Sequence, residues 1–176
     1  MYRWVRIFCA FFPCLNKSAK IPQFSFGWAK FSIFAAEKFV VMHIYKHEVR
    51  YYECDRMGVT HHSNYVRFME EARVDYLDHL GYGFDKIEAE GVFSPVVSIQ
   101  CNYKSPTTFK DVVEIEVVIS KVSEMKFDFT YTMRVGDKLV CTAQSTHCFI
   151  ENGRPVALSK RLPELCQMIQ EQALHP

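Results

Sequence analysis

The chain has 176 residues, of which 49% are apolar and 23% charged, with a formal net charge of +1; this suits one domain with a sizeable core. The charge is unevenly divided, because residues 1–41 hold six Lys or Arg against one acid while the remainder holds 15 basic and 19 acidic groups. A mildly acidic body lacks the basic footprint of a nucleic-acid binder, so no nucleic-acid partner is expected.

Residues 1–41 stand apart from the rest of the chain. They carry 11 of the 26 aromatic residues with little regular periodicity. Their longest apolar run, Ile7 to Leu15, is broken by Pro13 and falls far short of the roughly 20 residues that cross a bilayer, so no membrane span is expected. Arg3 and Arg6 resemble a signal-peptide n-region, but no small-residue cleavage site comes after them. Met42 immediately precedes an amphipathic stretch, HIYKHEVRYY. The domain is therefore expected over 42–176, with 1–41 as a leader outside it: upstream sequence ahead of a start at Met42, or a membrane-surface or targeting segment.

From Met42 the pattern is α+β. His43 to Tyr52 alternates well enough for a first strand. Over Asn64–Leu80 the residues Tyr65, Phe68, Met69, Ala72, Tyr76, Leu77 and Leu80 recur at steps of three and four, the stripe of a buried helix, with Gly81 as its stop. A short helix is expected near Asp85–Glu90. Strands are expected next over Val92–Tyr103 (bent near Pro95), around Val113–Ile119, around Phe127–Arg134 and over Lys138–Ile150. Gly136-Asp137 and Asn152-Gly153 mark turns, and a last helix is expected from Pro163 to Leu174. One long helix and then successive antiparallel strands imply a helix lying on a sheet.

The chemistry concentrates between the first strand and the long helix. Asp55 lies in a Gly-containing loop seven residues before His62, and Ser63 or Asn64 is suited to cap the helix beyond it. The first turn of a helix presents unpaired N–H groups and partial positive charge, which polarise a carbonyl and stabilise an oxyanion. If the loop folds back, the Asp55 carboxylate and the His62 N–H face one carbonyl carbon, and Asp55 acts as nucleophile or as general base on water. Gly58 lets the loop take a turn that a side chain would hinder. His61 and His62 lack further ligands at a suitable spacing, so no metal is expected. Seven scattered cysteines without a CxxC pair point to a reduced, cytoplasmic setting.

The stretch YYECDRMGVTHHSNYVRFMEEAR, residues 51–73, resembles the signature of hot-dog thioesterases of the 4-hydroxybenzoyl-CoA thioesterase family, especially the acyl-CoA thioesterase branch often found beside Tol-Pal genes. That branch reads approximately YYE-x-x-D-x-x-G-V-V-Y-H-x-x-Y with E-x-A-R in the helix. Asp55, Gly58, Val59, His62, Tyr65, Ala72 and Arg73 match it, Tyr51, Tyr52 and Glu53 match its YYE with one residue fewer before the Asp, and Glu71 stands in the E-x-A-R segment. Cys54 stands where Thr is usual, and Thr60-His61 replaces an apolar-aromatic pair. The resemblance, which covers residues 43–160, implies an antiparallel sheet wrapped around one long central helix. It assigns the catalytic carboxylate to Asp55, carbonyl polarisation to the backbone N–H of His62, and supporting roles to Tyr51 and the His62 side chain. Gly58, Val59 and His61 are assigned to substrate binding. It further implies a homodimer or homotetramer with the active site at the dimer interface.

The activity so implied is hydrolysis of a short-chain or aromatic acyl-CoA to free acid and CoA, with no cofactor because CoA belongs to the substrate. Lys104, Lys121, Lys126 and Arg134 are candidate partners for the CoA phosphates. Thr60 and His61 make the pocket mouth more polar than usual, which favours short or polar acyl groups. Two alternatives compete. A 3-hydroxyacyl thioester dehydratase relies on a different His and acid pairing. A non-catalytic acyl-CoA-binding regulator on the same fold has no use for a carboxylate beside its ligand.

Overall fold

A computed structural model describes residues 43–174; the leader over 1–41 lies outside the described residues. Five strands form one antiparallel sheet: β1 (Ile44–Glu48), β2 (Val96–Tyr103), β3 (Val112–Val122), β4 (Lys126–Val135) and β5 (Lys138–Cys148), in the order β1-β3-β4-β5-β2. A two-stranded ribbon, β6 (Ile150–Glu151) and β7 (Arg154–Pro155), comes after it. The helices are α1 (Asn64–His79), α2 (Phe84–Ala89), α3 (Leu158–Arg161) and α4 (Pro163–Leu174).

Alternation along the central strands gives the sheet one apolar face. Val113, Ile115, Val117 and Ile119 of β3, Phe127, Phe129, Tyr131 and Met133 of β4, and Val140, Cys141 and Ala143 of β5 are buried in a single core. Register aligns them, with Ile115 opposite Met133, Val117 opposite Tyr131 and Tyr131 opposite Ala143. Onto this face α1 lays Tyr65, Phe68, Met69, Ala72, Tyr76 and Leu77. Leu165, Cys166 and Ile169 of α4 join the same core.

Several boundaries depart from the sequence expectation, each for a local reason. The first strand ends at Glu48 instead of running to Tyr52, because Tyr51–Glu53 forms a 3-10 turn whose Glu53 carboxylate accepts from the Arg50 N–H at 2.7 Å. Strand β2 begins at Val96, after Phe93 forms an isolated bridge to Ile150, and carries an irregularity between Val96 and Ser98. Strand β5 stops at Cys148, and the Asn152-Gly153 turn, with φ of 50° and 74°, folds β7 back on β6.

The sheet leaves β2 at its edge. Among the described residues its partner is β5 alone, and Val96, Val97, Ile99 and Tyr103 are exposed. Among the described residues no helix is long and apolar enough to cross a membrane.

Candidate active site at the entry to α1

The loop between the 3-10 turn and α1 does fold back. Cys54 bridges Thr60, the Asp55 N–H donates to the Val59 carbonyl at 2.8 Å, and the Gly58 N–H donates to the Asp55 carbonyl at 3.0 Å. Gly58 sits at φ 76°, the left-handed region that glycine enters without steric cost. One carboxylate oxygen of the half-buried Asp55 accepts from the Met57 N–H at 2.7 Å, as Asp does in turns. That bond fixes the carboxylate's orientation.

The other side of the loop is tied to the sheet. The Thr60 N–H donates to the Thr107 carbonyl at 2.8 Å, and the Thr107 hydroxyl donates to that of Thr60 at 2.6 Å. Tyr65 of α1 shares the Thr107 hydroxyl at 3.0 Å, and Val59 bridges Thr108. Thr60 is therefore buried with its hydroxyl engaged. Of the Thr60-His61 pair, only the exposed His61 side chain lends polarity to the mouth.

The entry to α1 is capped unusually. Ser63 occupies the cap position, as the sequence indicates, but makes no capping bond from its side chain. Its hydroxyl lies 2.8 Å from His61 Nδ1 instead. The Asn64 amide turns away from the helix and donates to the Glu53 carbonyl at 2.8 Å. The His62 N–H has no acceptor among the described residues. An open N–H beside an uncapped helix start is the donor that a polarised carbonyl oxygen needs.

The remaining sequence candidates make no hydrogen bond to the carboxylate among the described residues. His62 is exposed, its ring 4.1 Å from that of His61 and edge-on to Tyr103. Tyr51 is 80% exposed, its ring edge-on to Phe109 at 5.7 Å; among the described residues it makes no hydrogen bond to Asp55. The four basic candidates for CoA split into two groups. Lys104, whose N–H donates to the Val140 carbonyl, and Arg134, beside the β4–β5 turn, lie toward the Thr107 end of the sheet. Lys121 and Lys126 flank the β3–β4 turn at the other end. Lys126 and Arg134 are eight steps apart along β4, about 27 Å, so a single copy of the chain cannot bring all four to the phosphates of one ligand. Sequence reasoning missed Lys138: its ammonium donates to the Pro106 carbonyl at 3.0 Å, next to Thr107.

Two buried polar networks are likewise invisible in the sequence. Near the loop, His47 joins Glu53 and Glu71. Deeper in the core, Tyr131, Ser145 and His147 form a chain, with Tyr131 Oη 2.9 Å from Ser145 Oγ and Ser145 Oγ 2.7 Å from His147 Nε2. Burial, with Arg73 nearby, pushes His147 down to about 4, and burial pushes Tyr131 up to about 12. The alternation of β4 and β5 marks Tyr131, Ser145 and His147 as inward-facing without revealing that they bond to one another.

Elsewhere, an open groove of about 500 Å3 between β1 and α1 is lined by Tyr45, Arg67, Val74 and the carboxylates of Glu70, Glu71, Asp75 and Asp78. Four acids make it a poor seat for a polyanionic ligand. Among the described residues no group of three or more His, Cys, Asp or Glu is arranged to hold a metal ion.

Comparison with known proteins bears on the family and the fold. The profile of the thioesterase-like superfamily matches residues 49–172. YneP of Bacillus subtilis, named as an acyl-CoA thioesterase, is 32% identical over 128 residues, covering 70% of this chain and 93% of its own. A solved structure of a hypothetical protein from Aquifex aeolicus shares 33% identity and superposes with a TM-score of 0.68, over 72% of this chain and 98% of that one. The structure of a DHNA-CoA thioesterase from Staphylococcus aureus is 28% identical with a TM-score of 0.71, over 73% and 88% of the respective chains. A central helix on a five-stranded antiparallel sheet, together with a family match over most of the described residues, identifies the chain as a hot-dog member of the thioesterase-like superfamily.

Proposed function

We propose that this protein hydrolyses an acyl-CoA thioester to a free acid and coenzyme A, using Asp55 and the N-terminus of α1. Thioester hydrolysis is the activity by which its relatives are named. The observation that carries the residue assignment is the closed loop, with the Asp55 N–H on the Val59 carbonyl. In this reading the fold-back of the loop turns the carboxylate toward the helix start, where the His62 N–H is open. In this reading the thioester oxygen accepts from that N–H, and negative charge developing on the oxygen is stabilised there. Asp55 either attacks the carbonyl carbon or takes a proton from the attacking water. The C–S bond then breaks and CoA leaves as a thiolate that acquires a proton; in the first route water then hydrolyses the Asp55 acyl anhydride, releasing the acid and restoring the carboxylate. Gly58 and Val59 shape the loop, His61 lines the mouth, and Tyr51 and the His62 ring support the site. Tyr51 reaches the acyl group or CoA from the surface, not through a bond to Asp55.

Short-chain and aromatic acyl groups are the substrates favoured by a polar mouth at His61. The 1,4-dihydroxy-2-naphthoyl-CoA hydrolase of Thermosynechococcus vestitus, 25% identical over 133 residues, lends support to the aromatic class. The working unit is proposed to be a homodimer or a tetramer built from it, joined through the open edge of β2. Five free cysteines among the described residues fit a cytoplasmic setting.

The test is thiol release from a panel of acyl-CoAs by the full chain and its Asp55→Asn variant. Turnover that disappears in the variant, with ligand binding kept, supports the assignment. Unchanged turnover in Asp55→Asn would remove Asp55 from the chemistry. Binding without turnover by the wild-type chain would favour the regulator reading.

A further inference from the structure

Beneath the candidate site lies a histidine held between two carboxylates from different elements. His47 Nε2 of β1 lies 2.9 Å from Glu53 Oε2, and its Nδ1 lies 2.8 Å from Glu71 Oε2 of α1. Both His47 and Glu53 are buried, at 9% and 4% exposure. The imidazole also packs on Phe68 of α1, with ring centroids 4.0 Å apart.

Glu53 is the point where this network meets the loop. Its carboxylate accepts from His47 and from the Arg50 N–H, and its carbonyl accepts from the His61 N–H at 2.9 Å and the Asn64 amide at 2.8 Å. Residue 53 is thus bonded to both flanks of His62 and lies two residues before Asp55. A buried carboxylate of this kind stays in place only while its charge-assisted donors remain. Loss of the His47 donor frees Glu53 to turn toward water, and its carbonyl shifts with it.

We propose that His47 and Glu53 are positioning residues for hydrolysis: they hold the Asp55 loop in register with the His62 N–H without touching the substrate. The inference rests on the proposed roles of Asp55 and His62. It is specific to the Nε2 side of His47. Glu71 steadies the ring from α1, whereas the Nε2–Glu53 bond sets the loop. A displacement of the reacting groups by a fraction of an ångström to 1 Å lowers the rate by up to about 100-fold, while binding through the CoA portion is left alone.

The experiment compares two amide replacements in the full chain. The Gln amide nitrogen reaches the place of Nε2 and keeps the Glu53 bond; the Asn amide nitrogen mimics Nδ1 and keeps only Glu71. With benzoyl-CoA and hexanoyl-CoA as probes, His47→Asn should lower kcat about 10- to 100-fold with KM within about twofold. His47→Gln should recover kcat to within about threefold of wild type. Hydrogen exchange in peptides covering residues 54–62 should accelerate in His47→Asn and stay near wild type in His47→Gln, with β3–β5 unchanged in both. A general loss of stability would not separate the two amides or spare KM. If His47→Asn fails to fold, Glu53→Gln carries the same test: it keeps the shape but weakens the charged bond, and kcat should fall about tenfold. Equal, near-wild-type kcat in His47→Asn and His47→Gln, or in Glu53→Gln, beside an inactive Asp55→Asn, overturns the proposal. An active Asp55→Asn overturns the underlying assignment instead.

Discussion

The Tyr103 hydroxyl donates to the His62 carbonyl at 3.0 Å, so the edge strand β2 grips the residue whose own N–H is left open at the start of α1. The sheet edge and the helix entry are thereby one mechanical unit. Replacing Tyr103 with Phe removes that bond. A neutral hydrogen bond contributes about 1 kcal/mol net, so kcat with the best acyl-CoA is expected to fall by up to about fivefold. The folded chain should persist, as circular dichroism would report. An unchanged kcat would show that His62 is held without Tyr103.

Strand β2 itself presents Val96, Val97 and Ile99, each more than 40% exposed, beside unpaired backbone groups. Exposed apolar edges are templates for pairing with another chain, and charges block them. Ile99→Lys is therefore expected to shift the protein to monomers in light scattering. It should also reduce thioesterase activity at least about tenfold, because in the proposed dimer a second copy completes the pocket. A dimer that survives the substitution would move the interface elsewhere.

Gly58 has φ 76°, and nothing lies within 4 Å of the position a Cβ would take. The penalty for alanine is consequently one of backbone strain, about 1 kcal/mol, without a clash. Gly58→Ala should lower the melting temperature by several degrees and slow turnover, whereas Gly58→Asn, which tolerates the left-handed region better, should recover part of both. Equal losses for the two variants in calorimetry would contradict the strain account.

The buried His147 is fully shielded, at 1% exposure, and held down to about 4 against an ordinary 6.5. The unfolded chain therefore binds a proton between these values that the folded chain refuses. Stability from this group is complete above about pH 6.5 and is lost as pH falls toward about 4, by on the order of 3 kcal/mol. Urea unfolding at pH 7, 5.5 and 4.5 should show a steeper acid loss for wild type than for His147→Gln. Parallel losses would remove His147 from the acid response.

Much of the scaffold is set by local pattern. The three- and four-residue stripe from Tyr65 to Leu77 fixed α1 and its buried face, and alternation in Val113–Ile119 and Phe127–Met133 fixed two central strands, because burial on one side imposes those periods whatever the surroundings. The Asp-x-x-Gly loop before an amphipathic helix was equally legible, since turn and helix entry depend on neighbours in sequence. The order β1-β3-β4-β5-β2 was not, and neither were the contacts that cross it: Tyr103 on His62, Thr107 on Thr60 and Tyr65, and His47 between Glu53 and Glu71. These join residues 6 to 47 positions apart, and a polar side chain at an inward position looks the same in a sequence whether its partner is solvent or a buried carboxylate. Sequence alone determined which residues face inward and where the acidic loop meets the helix; tertiary structure decided which of them meet, because hydrogen-bond partners are chosen by the packing of distant strands.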